Sequence, residues 1–109
     1  MTNEIMAVKT YLKDQLPIDM ENRVACVNLM LVLLVSDGVM KVPDILEKLS
    51  EYGDEIKLVE PMTEDECKAL LDRLFKLKMV GRLGNSLYGL ALSVKNDCIK
   101  VKNVAGFDE

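Results

Sequence analysis

The chain contains no histidine and no tryptophan. Without His, the commonest general base and the commonest metal ligand are both missing. Cys26, Cys67 and Cys98 lie far apart and form no CxxC pair. Neither a zinc site nor a disulfide framework is therefore expected, and the three thiols read as small core residues in a reducing compartment. No apolar run reaches the roughly 20 residues that a bilayer-crossing helix needs. The first residues, Met1-Thr2-Asn3-Glu4, carry neither a basic region nor a signal-peptide core, so a soluble, cytoplasmic protein without membrane contact is expected. Gly81 and Gly84 lack the spacing of a phosphate-binding or dinucleotide loop. The many carboxylates fall on faces expected to be solvated, and no nucleophile has a base nearby. These absences point away from an enzyme, a metal and a cofactor.

What is present is a core. Half of the 109 residues are hydrophobic, which suits a single domain over residues 1–109. From Val24 to Val35 only Asn28 is polar. That run is longer than most strands, so it predicts a helix apolar on all sides, which the rest of the chain must cover. Ahead of it, Ile5, Val8, Leu12 and Leu16 recur at helical spacing over residues 4–16, and Pro17 should stop that helix. Asp19 is the expected N-cap of the central helix, which ends at Asp37-Gly38.

Val39–Val42 predicts one small strand, and Pro43 fits the first turn of a further helix bearing Ile45, Leu46, Leu49 and Tyr52 on one face, closed by Gly53. Ile56 and Leu58 alternate like a short extended piece. Thr63-Glu64-Asp65-Glu66 has the form of a capping box, opening a helix with Cys67, Leu70, Leu71, Leu74 and Leu77 on its apolar side. Met79–Leu83 and Ser86–Leu92, joined at Gly84-Asn85, predict a β-hairpin. Lys95-Asn96-Asp97 predicts a turn and Cys98–Lys102 another strand, with residues 103–109 frayed.

The order helix, short strand, helix, helix, hairpin resembles the winged helix-turn-helix superfamily. The stretches that carry the resemblance are Val24–Asp37, Val39–Val42, Pro43–Tyr52, Thr63–Lys78 and Met79–Leu92, and within them Leu74–Asn85 is similar to a recognition helix running into its wing. The resemblance implies an α+β, mostly helical fold: a winged-helix-like core over residues 20–94, with an extra N-terminal helix. Residues 54–62 separate the second and third core helices, where a helix-turn-helix usually has three or four. A helical bundle carrying a hairpin is the competing fold.

Charge is divided along the chain. Residues 1–67 hold six basic against fourteen acidic side chains, whereas residues 68–102 hold eight basic against only Asp72 and Asp97. The basic third coincides with the recognition helix and wing that the resemblance implies. Lys68, Arg73, Lys76, Lys78, Arg82, Asn85 and Lys95 are accordingly the expected duplex-DNA contacts. Opposing this, Glu64, Asp65 and Glu66 crowd the first turn of the same helix, and Asp72 is placed to pair with Lys68 and Lys76. Asn28 in its apolar surroundings is either a satisfied core amide or a register-setting residue of a dimer seam. Ile5, Val8, Leu12 and Asn28 are the candidate interface of a homodimer. Two functions remain open: a non-enzymatic transcriptional regulator that binds DNA, or a protein-interaction module whose acidic surface docks on a basic partner.

Overall fold

In the computed structural model, which describes residues 3–36, 38–51, 62–84 and 86–107, the apolar run forms helix α2 (Arg23–Ser36), buried without a break from Cys26 to Leu33. The surrounding elements cover it. Helix α1 (Asn3–Gln15) turns Val8 and Leu12 inward and ends before Pro17, as its sequence predicts. Leu16 and Met20 continue the same apolar layer through the turn that follows. Asp19 is not the N-cap of α2: the first turn closes on Asn22, whose carbonyl accepts from Cys26 N–H at 3.0 Å. Asn22 has φ 59°, a left-handed conformation that asparagine tolerates better than most residues.

Strand β1 (Met40–Lys41) leads directly into α3 (Val42–Glu51), which buries Ile45 and Leu49. The expected helix end at Tyr52-Gly53 and the expected extended piece at Ile56–Leu58 lie outside the described residues. Helix α4 (Glu64–Lys76) follows the capping box and buries Cys67, Leu71 and Leu74; Leu77, expected on this side, is instead its exposed C-cap. Strands β2 (Val80–Leu83) and β3 (Leu87–Leu90) make the expected hairpin, paired from Val80↔Leu90 to Leu83↔Leu87. Three residues, 84–86, therefore join the strands instead of two, and Gly84 turns the chain at φ 62°. Asn85 lies outside the described residues.

β1 pairs with the free edge of β3, giving a three-stranded antiparallel sheet in the order β1-β3-β2. This third strand distinguishes the domain from a helical bundle with a lone hairpin. Close approach fixes one glycine: a Cβ on Gly89 would lie 3.1 Å from the Val39 side chain and 3.4 Å from the Gly38 carbonyl.

The end of the chain departs most from expectation. Residues 92–107 are neither turn, strand nor frayed tail but one helix, α5 (Leu92–Phe107). It packs chiefly along α1, with Val94 and Cys98 buried. The Tyr11 hydroxyl donates to Asp97 Oδ2 at 2.9 Å, joining the two helices across 86 positions of sequence. One apolar core runs from α1 through α2 to α4, β3 and α5. The Cα radius of gyration of 13.1 Å is what a compact domain of this length has. The fold is thus α+β and mostly helical, with a small antiparallel sheet. No helix among the described residues is long and apolar enough to cross a membrane.

Candidate functional site

Helix α4 and the hairpin that follows carry most of the candidate residues. The capping box fixes where α4 begins. Thr63 Oγ1 accepts from Glu66 N–H, and Glu66 Oε1 accepts in return from Thr63 N–H, both at 3.1 Å. The Thr63 backbone N–H, with the Thr63 side chain, holds the Glu66 carboxyl below its ordinary pKa. Glu64, Asp65 and Glu66 are all exposed, so the first turn of α4 presents carboxylates to solvent.

Asp72, midway along α4, organises the face turned to the hairpin. Its Oδ1 accepts from the Tyr88 hydroxyl at 2.5 Å and from Arg82 Nη1 at 3.2 Å, while Oδ2 lies 3.5 Å from Lys68 Nζ. Lys68 Nζ also donates to the Tyr88 oxygen at 3.0 Å. Tyr88 is fully buried on β3, with its hydroxyl reaching this edge of the network. The Tyr88 hydrogen bond, followed by Lys68 and Arg82, holds the Asp72 carboxyl below the usual aspartate range against the opposing effect of partial burial. Accepting the Lys68 hydrogen bond, Tyr88 also pushes the Lys68 ammonium up. Arg82 lies against Phe75, 4.6 Å from the ring centroid, within cation–π range.

The expected pairing of Lys68 with Asp72 is therefore present, but the second cation on that carboxylate is Arg82 from β2. Two of the candidate DNA contacts thus have a carboxylate partner. Arg73, Lys76 and Lys78 do not share this arrangement: they are exposed at the C-terminal end of α4 and in the joint to β2. That joint is a Schellman motif, with Lys78 N–H donating to Phe75 O and Met79 N–H to Leu74 O, each at 3.0 Å. Lys78 occupies the position where glycine is usual and adopts φ 64°, a conformation unfavourable for a side-chain-bearing residue. Phe75 and Leu77 are apolar and partly exposed at the C-terminal end of α4, and Leu83 is exposed at the turn end of the hairpin.

The remaining candidates lie elsewhere. Lys95 stands in the first turn of α5 and lines a groove shared with α1 and α2, away from the Asp72 network. Val8, Leu12 and Asn28, candidates for a dimer seam, are buried inside one chain, and Ile5 is half-buried beside the same groove. Asn28 Oδ1 has no hydrogen-bond partner among the described residues, so the satisfied-amide reading is not met for that oxygen.

Burial pushes the Cys26 and Cys98 thiols up to about 11 and the Cys67 thiol to about 12. All three stay protonated near neutrality, which disfavours nucleophilic roles. Among the described residues, no three Cys, Asp or Glu side chains come together to share a metal ion. Sequence reasoning missed Tyr88 and Phe75. Tyr88 meets Asp72 only because β3 lies beside α4, and Phe75 read as part of a generic helix; no local signal marked either. Comparison with protein-family models, with curated proteins and with solved structures finds no match to this chain.

Proposed function

We propose that the chain is a winged-helix-type domain that binds duplex DNA as a small, non-enzymatic transcriptional regulator. The order of α2, β1, α3, α4 and the hairpin supports this reading, as does the pairing of β1 with the second hairpin strand. The observation that carries it is Lys78. A lysine occupies a left-handed joint that favours glycine, beside exposed Arg73 and Lys76. Local backbone cost retained at a surface cation is the pattern expected where that cation has a ligand.

In this reading phosphate is engaged by the C-terminal half of α4 and its joint to β2. The first turn of α4, with its three carboxylates, is held off the backbone of the duplex, so sequence reading at base edges by that turn is not invoked. Lys68 and Arg82 stay on Asp72 and shape the surface. Homodimerisation through Val8, Leu12 and Asn28 is not part of the reading, because one chain already buries those side chains.

Fluorescence anisotropy with random and genomic duplexes between about 50 and 200 mM salt tests it. Three phosphate contacts give a log–log salt slope of roughly −3. The double variant Lys76→Glu, Lys78→Glu should lose at least about tenfold in affinity at low salt. Absence of binding at the lowest salt, or an unchanged affinity in the double variant, overturns the proposal.

A protein-interaction module is the second reading, favoured by the exposed Phe75 and Leu77 at the C-terminal end of a helix with an acidic first turn, and by exposed Leu83 on β2. A partner that co-purifies stoichiometrically, with no DNA binding, would decide for it.

A further inference from the structure

The groove between the N-terminal half of α1, the C-terminal half of α2 and α5 has a volume of about 590 Å³, inside the range of small-molecule sites. Its walls come from three helices packed on one core, so it is formed before any ligand arrives. Val8, Leu31, Leu34 and Ile99 make the lining apolar. Cys98 adds a thiol kept neutral by burial. Among the described residues, the charged groups that line this space are Lys95 and Lys102 from α5 and Glu4 from α1. Cations therefore outnumber the carboxylate here, in a chain whose net charge is −4. Lys102 is exposed and makes no ion pair among the described residues. Lys95 and Lys102 stand seven positions apart on one face of α5, about 10 Å along its axis.

An apolar groove with ammonium groups from α5 along one wall matches a molecule with an apolar chain and a single anionic end. A neutral apolar compound would gain nothing from the Lys102 ammonium, and an inorganic anion would leave the apolar walls wet. We propose that this groove binds a medium-chain fatty acid, with its alkyl chain against Leu31, Leu34 and Ile99 and its carboxylate toward Lys102. The proposal stands on the α1–α2–α5 geometry and does not depend on DNA binding by α4.

Isothermal titration calorimetry of the intact chain with decanoate, decanol and decyltrimethylammonium, each below its micellar range, tests it. Decanoate should bind one to one, decanol at least about tenfold more weakly, and the cationic amphiphile not at all. Lys102→Glu, checked for native circular dichroism, should weaken decanoate at least about tenfold while leaving decanol binding unchanged. Should decanoate fail to bind, or bind no better than decanol, the proposal is overturned. The same holds if Lys102→Glu leaves decanoate affinity unaltered, or if sedimentation shows a dimer of the chain that excludes decanoate.

Discussion

Tyr88 is fully buried, and its hydroxyl donates to Asp72 and accepts from Lys68. A phenol in that position satisfies a helix carboxylate and a helix cation at once, and ties α4 to the central strand of the sheet. Tyr88→Phe keeps the ring and removes both hydrogen bonds, so it should destabilise the domain by about 2 kcal/mol at pH 7. The pH dependence has a definite sign. A carboxyl held below its unfolded value contributes stability above about pH 4, which disappears as pH falls through its folded pKa. Because Tyr88 is the main hold on Asp72, the gap between wild type and Tyr88→Phe in urea midpoint should narrow from pH 7 to pH 3. A gap of constant width would show that the hydroxyl acts through packing alone. Nothing in the sequence around Tyr88 announces this role, since the partner side chains become neighbours only through pairing of β3 with β2 and their packing on α4.

At the scale of elements, α4 and α5 show what local sequence can and cannot specify. The capping box at Thr63 is legible because both of its partners lie within four consecutive residues. Helix α5 is not legible in that way. Lys95-Asn96-Asp97 reads as a turn and the alternation of Cys98 to Lys102 as a strand, yet packing on α1 makes the whole stretch helical. Tertiary burial of Val94 and Cys98, with the Tyr11–Asp97 hydrogen bond, outweighs a weak local preference. The C-terminal joint of α4 presents the opposite case, a residue that stays despite its backbone cost. Lys78→Gly should raise stability by about 0.5 to 1 kcal/mol, the left-handed cost less glycine's greater chain entropy. If urea unfolding showed the Lys78→Gly variant to be the less stable, the lysine stem would have to pack well enough to offset the strain.

For the molecule as a whole, one core is closed by its outermost helices. α1 packs along α5 and against α2 with Val8 and Leu12 buried, and the groove lies between the three helices. A chain ending at Ala91 removes the main cover of α1. Its thermal unfolding, followed by circular dichroism, should lose cooperativity; a sharp two-state melt near that of the full chain would show that α5 is dispensable. The central apolar helix and the α+β character are readable in the sequence, because a run with one polar residue admits few other fates. The closure is not, since it joins segments that share no local pattern.

That closure also orders events during synthesis. Tyr11 leaves the ribosome long before Asp97 has been made, so through most of elongation α1 carries apolar surface that α5 does not yet cover. Chains of this kind complete their tertiary structure only after the last helix clears the tunnel, and nascent segments with uncovered apolar surface are the ones that aggregate or recruit chaperones. A stalled or slowed ribosome would therefore be a greater hazard to this protein than to one whose early helices close a core of their own.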